Sequence, residues 1–316
     1  MALILGAMEV SLSFDNAVVN ASVLKTWNAY WRKLFLTAGI VIAVFGMRLL
    51  FPLLIVATAS GVGMVNASQM ALHNPHAFSR ILSGHHDQIA AFGGVFLLLV
   101  ALNFLFDAGK ELHWLGHAEK KLAALGRIGA IPMLAALLSV ALLSWLVEEG
   151  RQLPVLLAGL WGMIVYVGVD AISDFLEKEE VDPALGKVIL QGGLGGFLYL
   201  EILDASFSFD GVIGAFAITH DVVIILLGLG MGAMFVRSMT VYLVEKGTLQ
   251  AYVYLEHGAH YAIGMLALIL FISIRLEVPE LVAGLTGIAF ILASLWSSIR
   301  HRNQQIKKGE PVQGSP

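Results

Sequence analysis

The sequence predicts an all-α protein, a polytopic transmembrane helical bundle of about nine spans, on three observations. Hydrophobic residues fill 58% of its 316 positions and charged residues only 13%, against roughly half and a quarter in soluble domains. Apolar windows of spanning length follow one another at 2–23, 34–60, 88–107, 128–147, 154–176, 188–219, 222–244, 255–274 and 279–299. Basic residues collect in alternate connections between those windows, as they do in membrane proteins whose Lys and Arg stay in the cytoplasm.

The first window lacks a basic leader and carries Glu9 and Asp15, so a retained helix is expected rather than a cleaved signal peptide. The windows at 34 and 188 are longer than a bilayer needs, which allows tilt, a kink at Pro52 or a break after the glycine-rich "QGGLGG". His73, His76, His85 and His86 fall in or beside the connection at 61–87, where solvated loop histidines are expected rather than a metal site. The basic segment "KELHWLGHAEKKLAALGR" predicts an amphipathic helix lying in the membrane interface. Asp170 and Asp174 stand four apart on the fifth window, as a cytoplasmic mouth or as hydrated interfacial acids. The tail "NQQIKKGEPVQGSP" is polar and expected to be disordered.

Counting connections tests the nine windows. Those after odd-numbered windows, with the tail, hold 14 of the 19 Lys and Arg, and those on the other side hold Arg80, Arg151 and Arg275. Such asymmetry predicts an N-terminus outside and a C-terminus in the cytoplasm. The absence of Cys removes disulfides and thiolate metal sites, and the net charge of −4 does not bear on orientation.

An internal repeat organises the windows. "EVSLSFDNAVVNA" from Glu9 aligns with "DASFSFDGVIGAF" from Asp204, "FGMRLL" around Arg48 with "MFVRSM" around Arg237, and His86 and Gly93 with His257 and Gly264. The copies begin five crossings apart, so they enter from opposite faces. That is an inverted-topology repeat, a plan common among secondary transporters with a midplane site. The expected organisation is a first repeat at 1–148, a linking span and loop at 149–187, a second repeat at 188–300 and a tail at 301–316.

A charged side chain at mid-membrane costs at least about 2.5–3.5 kcal/mol, so acids kept there point to function. On a regular helix Glu9, Ser13, Asn16 and Asn20 form one stripe, with Asp15 about 120° away unless the helix breaks near Ser13. Gly211 and Gly214 make a break easier in the second copy. The candidate metal ligands are Glu9, Ser13, Asp15, Asn16, Glu201, Asp204, Ser208 and Asp210, whose oxygen donors suit hard divalent cations. Inverted symmetry would bring Asp15 and Asp210 together at the centre. Arg48 and Arg237 would serve as gates or counter-charges; the alternative is that Asp15–Arg48 and Asp210–Arg237 are buried structural pairs. Glu256, His257 and His260 form a second group, as interfacial polar residues or as a proton relay or secondary metal site.

The motif "EVSLSFDNAVVNA" with "RSMTVYLVEKGTLQAYVYLEHGAHYAIG" resembles the TerC-like integral membrane proteins, named for tellurium resistance, and in particular a bacterial branch of unknown function. The resemblance runs from Glu9 to about Trp296. It implies a multi-helix inner-membrane protein linked to metal-ion homeostasis, with manganese export among its relatives. The motif residues carried over are Glu9, Ser13, Asp15 and Asn16, with Asp204, Ser208 and Asp210 in the second copy, where Gly211 stands in place of the Asn.

The expected function is a divalent-cation transporter, with Mn²⁺ moved outward as substrate. It is expected to be no enzyme, to have no organic cofactor, and to have the metal ion and the bilayer rather than nucleic acid as partners. A homo-oligomer or membrane-protein partner is left open. The alternatives are a non-transporting scaffold or metal-loading partner and, behind it, an intramembrane metalloenzyme using His257 and His260.

Overall fold

A computed structural model describes residues 1–110, 112–176, 179–181, 188–190, 193–276 and 278–308, excluding the side chains of 59, 174, 176, 179–181, 188–190, 209, 210, 217 and 280. The protein is a multi-pass helical membrane protein. Its order is α1 (Ala2–Leu12), α2 (Phe14–Leu24), α3 (Ala29–Val41), α4 (Phe51–Ser60), α5 (Met64–His73), α6 (Pro75–Gly84), α7 (His86–Leu105), α8 (His117–Leu125), α9 (Ile131–Leu146) and α10 (Gln152–Leu176). It continues with β1 (Glu179–Val181), β2 (Val188–Leu190), α11 (Leu194–Ile218), α12 (Val222–Glu245), α13 (Thr248–Ala251), α14 (Leu255–Ser273) and α15 (Glu280–Lys308).

Among the described residues six helices are long and apolar enough to cross a membrane: Ala29–Thr58, His86–Leu105, Glu149–Ser173, Val222–Glu245, Leu255–Ser273 and Leu281–Lys307. The pair α1 and α2, bent by 55°, makes a seventh when taken as one span. Two windows remain. α9 has 16 residues, short of a full span, and α11 is long enough but carries Glu201, Asp204 and Asp210. Large apolar side chains such as Leu3, Trp145, Trp161, Phe175 and Leu281 point outward, as a lipid-facing surface requires.

Three local features depart from the windows. Residues 188–190 are not helical: Val188–Leu190 pairs antiparallel with Glu179–Val181, so the sixth helix starts at Leu194. The connection at 61–87 holds two short helices, with the Asn74 side chain accepting from the Ala77 amide to cap α6. Ahead of Pro52 the long second helix widens into a π-helical stretch, Ile42–Leu50. Such bulges re-aim side chains where function or proline disturbs the ladder. This one carries Arg48 inward.

Candidate functional site

The first helix is broken at Ser13. Its φ of −109° and ψ of 17° end α1 and begin α2, and Asp15 thereby enters the first turn of α2. The positive end of the helix dipole favours an anion there. The expectation of an easier break in the second copy is corrected: α11 runs without interruption through Gly211 and Gly214. Gly211 serves a different purpose, since a Cβ there would stand 3.0 Å from Glu9 Oε2. Its missing side chain lets the Glu9 carboxylate approach α11.

Two arginine clamps flank the break. Arg237 holds Glu201 in a two-pronged bridge, Nη1 to Oε1 at 2.7 Å and Nη2 to Oε2 at 2.9 Å, and also reaches Asp204 Oδ2 at 3.1 Å. Its Nη1 donates to the Phe35 carbonyl at 3.2 Å, and the guanidinium lies 4.3 Å over the Phe35 ring. Arg48 pairs closely with Glu9 and donates to Ser208 Oγ at 2.9 Å and to the Ala43 carbonyl at 2.8 Å. All these charged groups are at most 4% exposed. Planar, multiply bonded arginine is the cation best suited to buried carboxylates.

The pairing differs from the structural alternative read from sequence. Arg48 meets Glu9 rather than Asp15, and Arg237 meets Glu201 and Asp204; the side chain of Asp210 lies outside the described residues. The observed partners respect the repeat, because Glu9 aligns with Asp204 as Arg48 aligns with Arg237. At this centre Arg48 to Ser208, Asn16 Nδ2 to Asp204 Oδ1 at 2.7 Å and Arg237 to the Phe35 carbonyl all cross between copies.

Asp15 is left beside the clamps. It is buried, and with Glu9, Leu12, Ser13, Phe207 and Gly211 it lines a cavity of about 20 Å³, room for roughly one water-sized particle. Gly287 of α15 faces it, and a Cβ there would stand 3.5 Å from Asp15 Oδ2. Ser13 Oγ lies 3.4 Å from Glu9 Oε1. One turn on, Asn16 Oδ1 and both amide atoms of Asn20 are buried with no hydrogen-bond partner among the described residues, the condition that marks a strained or functional polar group. Among the described residues no three His, Cys, Asp or Glu side chains are placed to hold a metal together.

Sequence reasoning missed the glycines that make this packing. A Cβ on Gly39 would fall 2.2 Å from Arg237 Nη1 and 2.7 Å from Glu201 Oε1, and one on Gly232 would fall 2.5 Å from Glu9 Cβ. The available signal was glycine within apolar windows opposite the charged motifs, since an interior glycine costs helix stability unless something needs the space.

The group at the start of α14 is tied up. Lys25 Nζ lies 2.9 Å from Glu256 Oε2. His257 Nε2 donates to the Leu112 carbonyl at 3.0 Å and stands 3.5 Å from Glu119 Oε1. His260 Nδ1 donates to the Glu256 carbonyl at 2.8 Å, and its ring stacks on Phe104 at 3.8 Å. Glu119 was read only as part of a surface amphipathic helix, yet it is fully buried, 2.5 Å from Lys110 Nζ, and accepts the Leu115 amide at 3.0 Å. Burial alone would raise its carboxyl, but Lys110, the Leu115 amide and Tyr261 outweigh that and hold it below the ordinary glutamate value.

The histidines in and beside the 61–87 connection do not converge as a set. His73 and His85 bond carbonyls one turn back, at 3.1 and 2.8 Å, whereas the His76 ring lies 4.0 Å from that of His220. Asp170 is exposed, and the side chain of Asp174 lies outside the described residues.

Residues 14–305 match the model of a family described as a protein of unknown function, DUF475. No curated protein and no solved structure matches the chain.

Proposed function

The chain belongs to the DUF475 family, whose description carries no activity, and from its own residues we propose that it is a divalent-cation transporter working by alternating access. The single observation that carries the proposal is Asp15, a buried carboxylate beside a small cavity, set apart from two arginine clamps that neutralise Glu9, Glu201 and Asp204. An acid kept within an apolar helix at a cost of at least about 2.5–3.5 kcal/mol, without an arginine of its own, calls for an exchangeable charge. Ser13 and Glu9 supply further oxygens within the same break, and Asn16 Oδ1 is buried next to it with no partner among the described residues. Those donors suit a hard cation, and manganese is the substrate, in line with the TerC-like resemblance.

Arg48 then acts as a tethered counter-charge. A cation approaching Asp15 competes with it for Glu9, so loading the site frees Arg48 from Glu9 and leaves it on Ser208 and the Ala43 carbonyl, which it already contacts. The second copy contributes Glu201, Asp204, Ser208 and Asp210, with Arg237 in the matching role.

The membrane reading rests on nine spans in two inverted halves, N-terminus outside and C-terminus cytoplasmic, in a bacterial inner membrane. Contacts between residues assigned to one side support it. Lys25–Glu256 and Glu119–His257 join cytoplasmic segments, and Asp87–Arg151 and His76–His220 join outer ones.

The closed clamps favour one rival, a non-transporting scaffold stabilised by buried ion pairs. Proteoliposomes holding purified protein separate the two. Transport predicts manganese flux that disappears in Asp15→Asn, with equal protein inserted, whereas a scaffold gives no flux in either.

A further inference from the structure

A second cavity, of about 390 Å³, opens between α4, α7 and α11. Its lining extends from Thr58, His85, His86 and Gln88, at the ends of α4 and α7 that adjoin α5 and α6, to Ala205 and Ser206 midway along α11. Ala205 follows Asp204 in the chain, so along α11 the lining reaches the level of the arginine clamps.

The repeat assigns this cavity a counterpart at the opposite face. His86, Ile89 and Phe92 of its wall correspond to His257, His260 and Ile263 on α14, and Phe51 to Thr240 on α12. These four counterparts are all 8% exposed or less. His260 stacks on Phe104, Lys110 lies 4.1 Å over the other partner of that stack, the Phe104 ring, and His257 is held by the Leu112 carbonyl and by Glu119.

The difference has a covalent origin. The connection after α7 runs from 106 to 130 and contains α8, whereas its repeat partner after α14 runs only from 274 to 279. The longer one supplies Lys110, Leu112 and Glu119 to cover the start of α14; the shorter one leaves the start of α7 open.

We infer that the 390 Å³ cavity is the outer vestibule of the transport path and that the α7–α9 connection, anchored by Glu119 on Lys110 and His257, is the inner gate. The inference rests on the transport and inverted-repeat readings and adds the state and the moving part. The protein is held open to the α5–α6 side and shut at the other. Passage of the substrate requires Glu119 to withdraw from the base of α14, which uncovers His260 and Ile263 as the inner vestibule wall.

The chain contains no Cys, so single-cysteine variants in membrane vesicles report access directly. With Asn66→Cys on α5 marking the open side, Phe92→Cys is expected to react with a membrane-impermeant maleimide from that side at least about tenfold faster than its repeat partner Ile263→Cys reacts from either side. Adding Lys110→Ala with Glu119→Ala, which removes both charges together, is expected to expose Ile263→Cys to the opposite side only. Glu119→Gln, which removes the charge that anchors the connection on Lys110 and keeps the size of the side chain, is expected to do the same to a smaller degree and serves where the double variant fails to fold. Equal slow labelling of Phe92→Cys and Ile263→Cys, as for a lipid-filled slot, overturns the vestibule; an Ile263→Cys that stays unreactive in folded gate variants overturns the gate. Labelling is read without any cation, so an absent manganese flux is a separate result that strikes the transport reading alone.

Discussion

The amide of Asn16 lies 2.7 Å from a carboxylate oxygen of Asp204, joining two polar motifs 188 residues apart in the chain. The same Asp204 accepts from Arg237, while Ser208, one turn further along α11, accepts from Arg48. The two copies of the motif therefore form one continuous polar centre, and its energetics depend on residues from both.

Asp15→Asn keeps the size of the side chain and removes its charge. Manganese efflux from loaded proteoliposomes is expected to be lost, and metal retained by the purified protein to fall, with membrane insertion unchanged. Normal efflux in this variant would remove Asp15 from the transport site.

Arg237→Met leaves Glu201 and Asp204 buried without their cation. Breaking a buried pair from one side costs about 3–5 kcal/mol, so a large drop in the detergent-solubilised melting temperature is expected. Arg237→Lys is expected to recover only part of it, because an ammonium cannot reproduce the two-pronged bridge. Joint replacement of Glu201, Asp204 and Arg237 by apolar residues is expected to restore stability beyond Arg237→Met while abolishing flux. If Arg237→Met melts like the wild type, the clamp is not a stabilising feature.

Gly39→Ala sets a methyl group against Arg237 Nη1 and Glu201 Oε1, and overpacking of this kind costs about 1–3 kcal/mol. Gly46→Ala, whose Cβ would meet only the Ile42 Cγ2 at 3.5 Å, is the matched control in the same long helix. Thermal denaturation of the two variants checks the difference; equal stability would show that Arg237 moves aside freely.

Glu119 has a lowered folded-state pKa, so it binds protons less readily when folded than when unfolded. Its contribution is therefore fully present above the ordinary glutamate value of about 4.3 and is lost as pH falls through the lower folded value. The protection of amides 112–125, taken as the exchange rate relative to the intrinsic rate at each pH, is expected to fall on acidification through that window. Glu119→Gln is expected to exchange faster at neutral pH and to lose the acid-dependent step; an unchanged step would assign it to another group.

Much of the architecture was legible because membrane insertion acts locally. A window of apolar residues is driven into lipid whatever its neighbours do, so every one of the nine windows contains a helix, although α9 falls short in length and α11 carries three acids along its unbroken length. The buried status of Glu9, Asp15, Arg48, Glu201, Asp204 and Arg237 was legible for the same reason. The break at Ser13 stood in the sequence only as one of two alternatives, and the buried Glu119 was not legible. A serine permits many backbone conformations, and a glutamate in a basic run looks solvated until a specific lysine covers it.

The sequence by itself determined a helical membrane protein, the acids and arginines held within its helices, and a repeated motif relating its two ends. These follow from insertion cost and residue spacing, which are properties of each segment alone. Tertiary structure decided which charges meet: Arg48 with Glu9, Arg237 with Glu201 and Asp204, and Asp15 beside a small cavity. That choice depends on how closely helices approach, and Gly39, Gly211 and Gly232 set the approach by lacking the atoms that would keep those side chains apart.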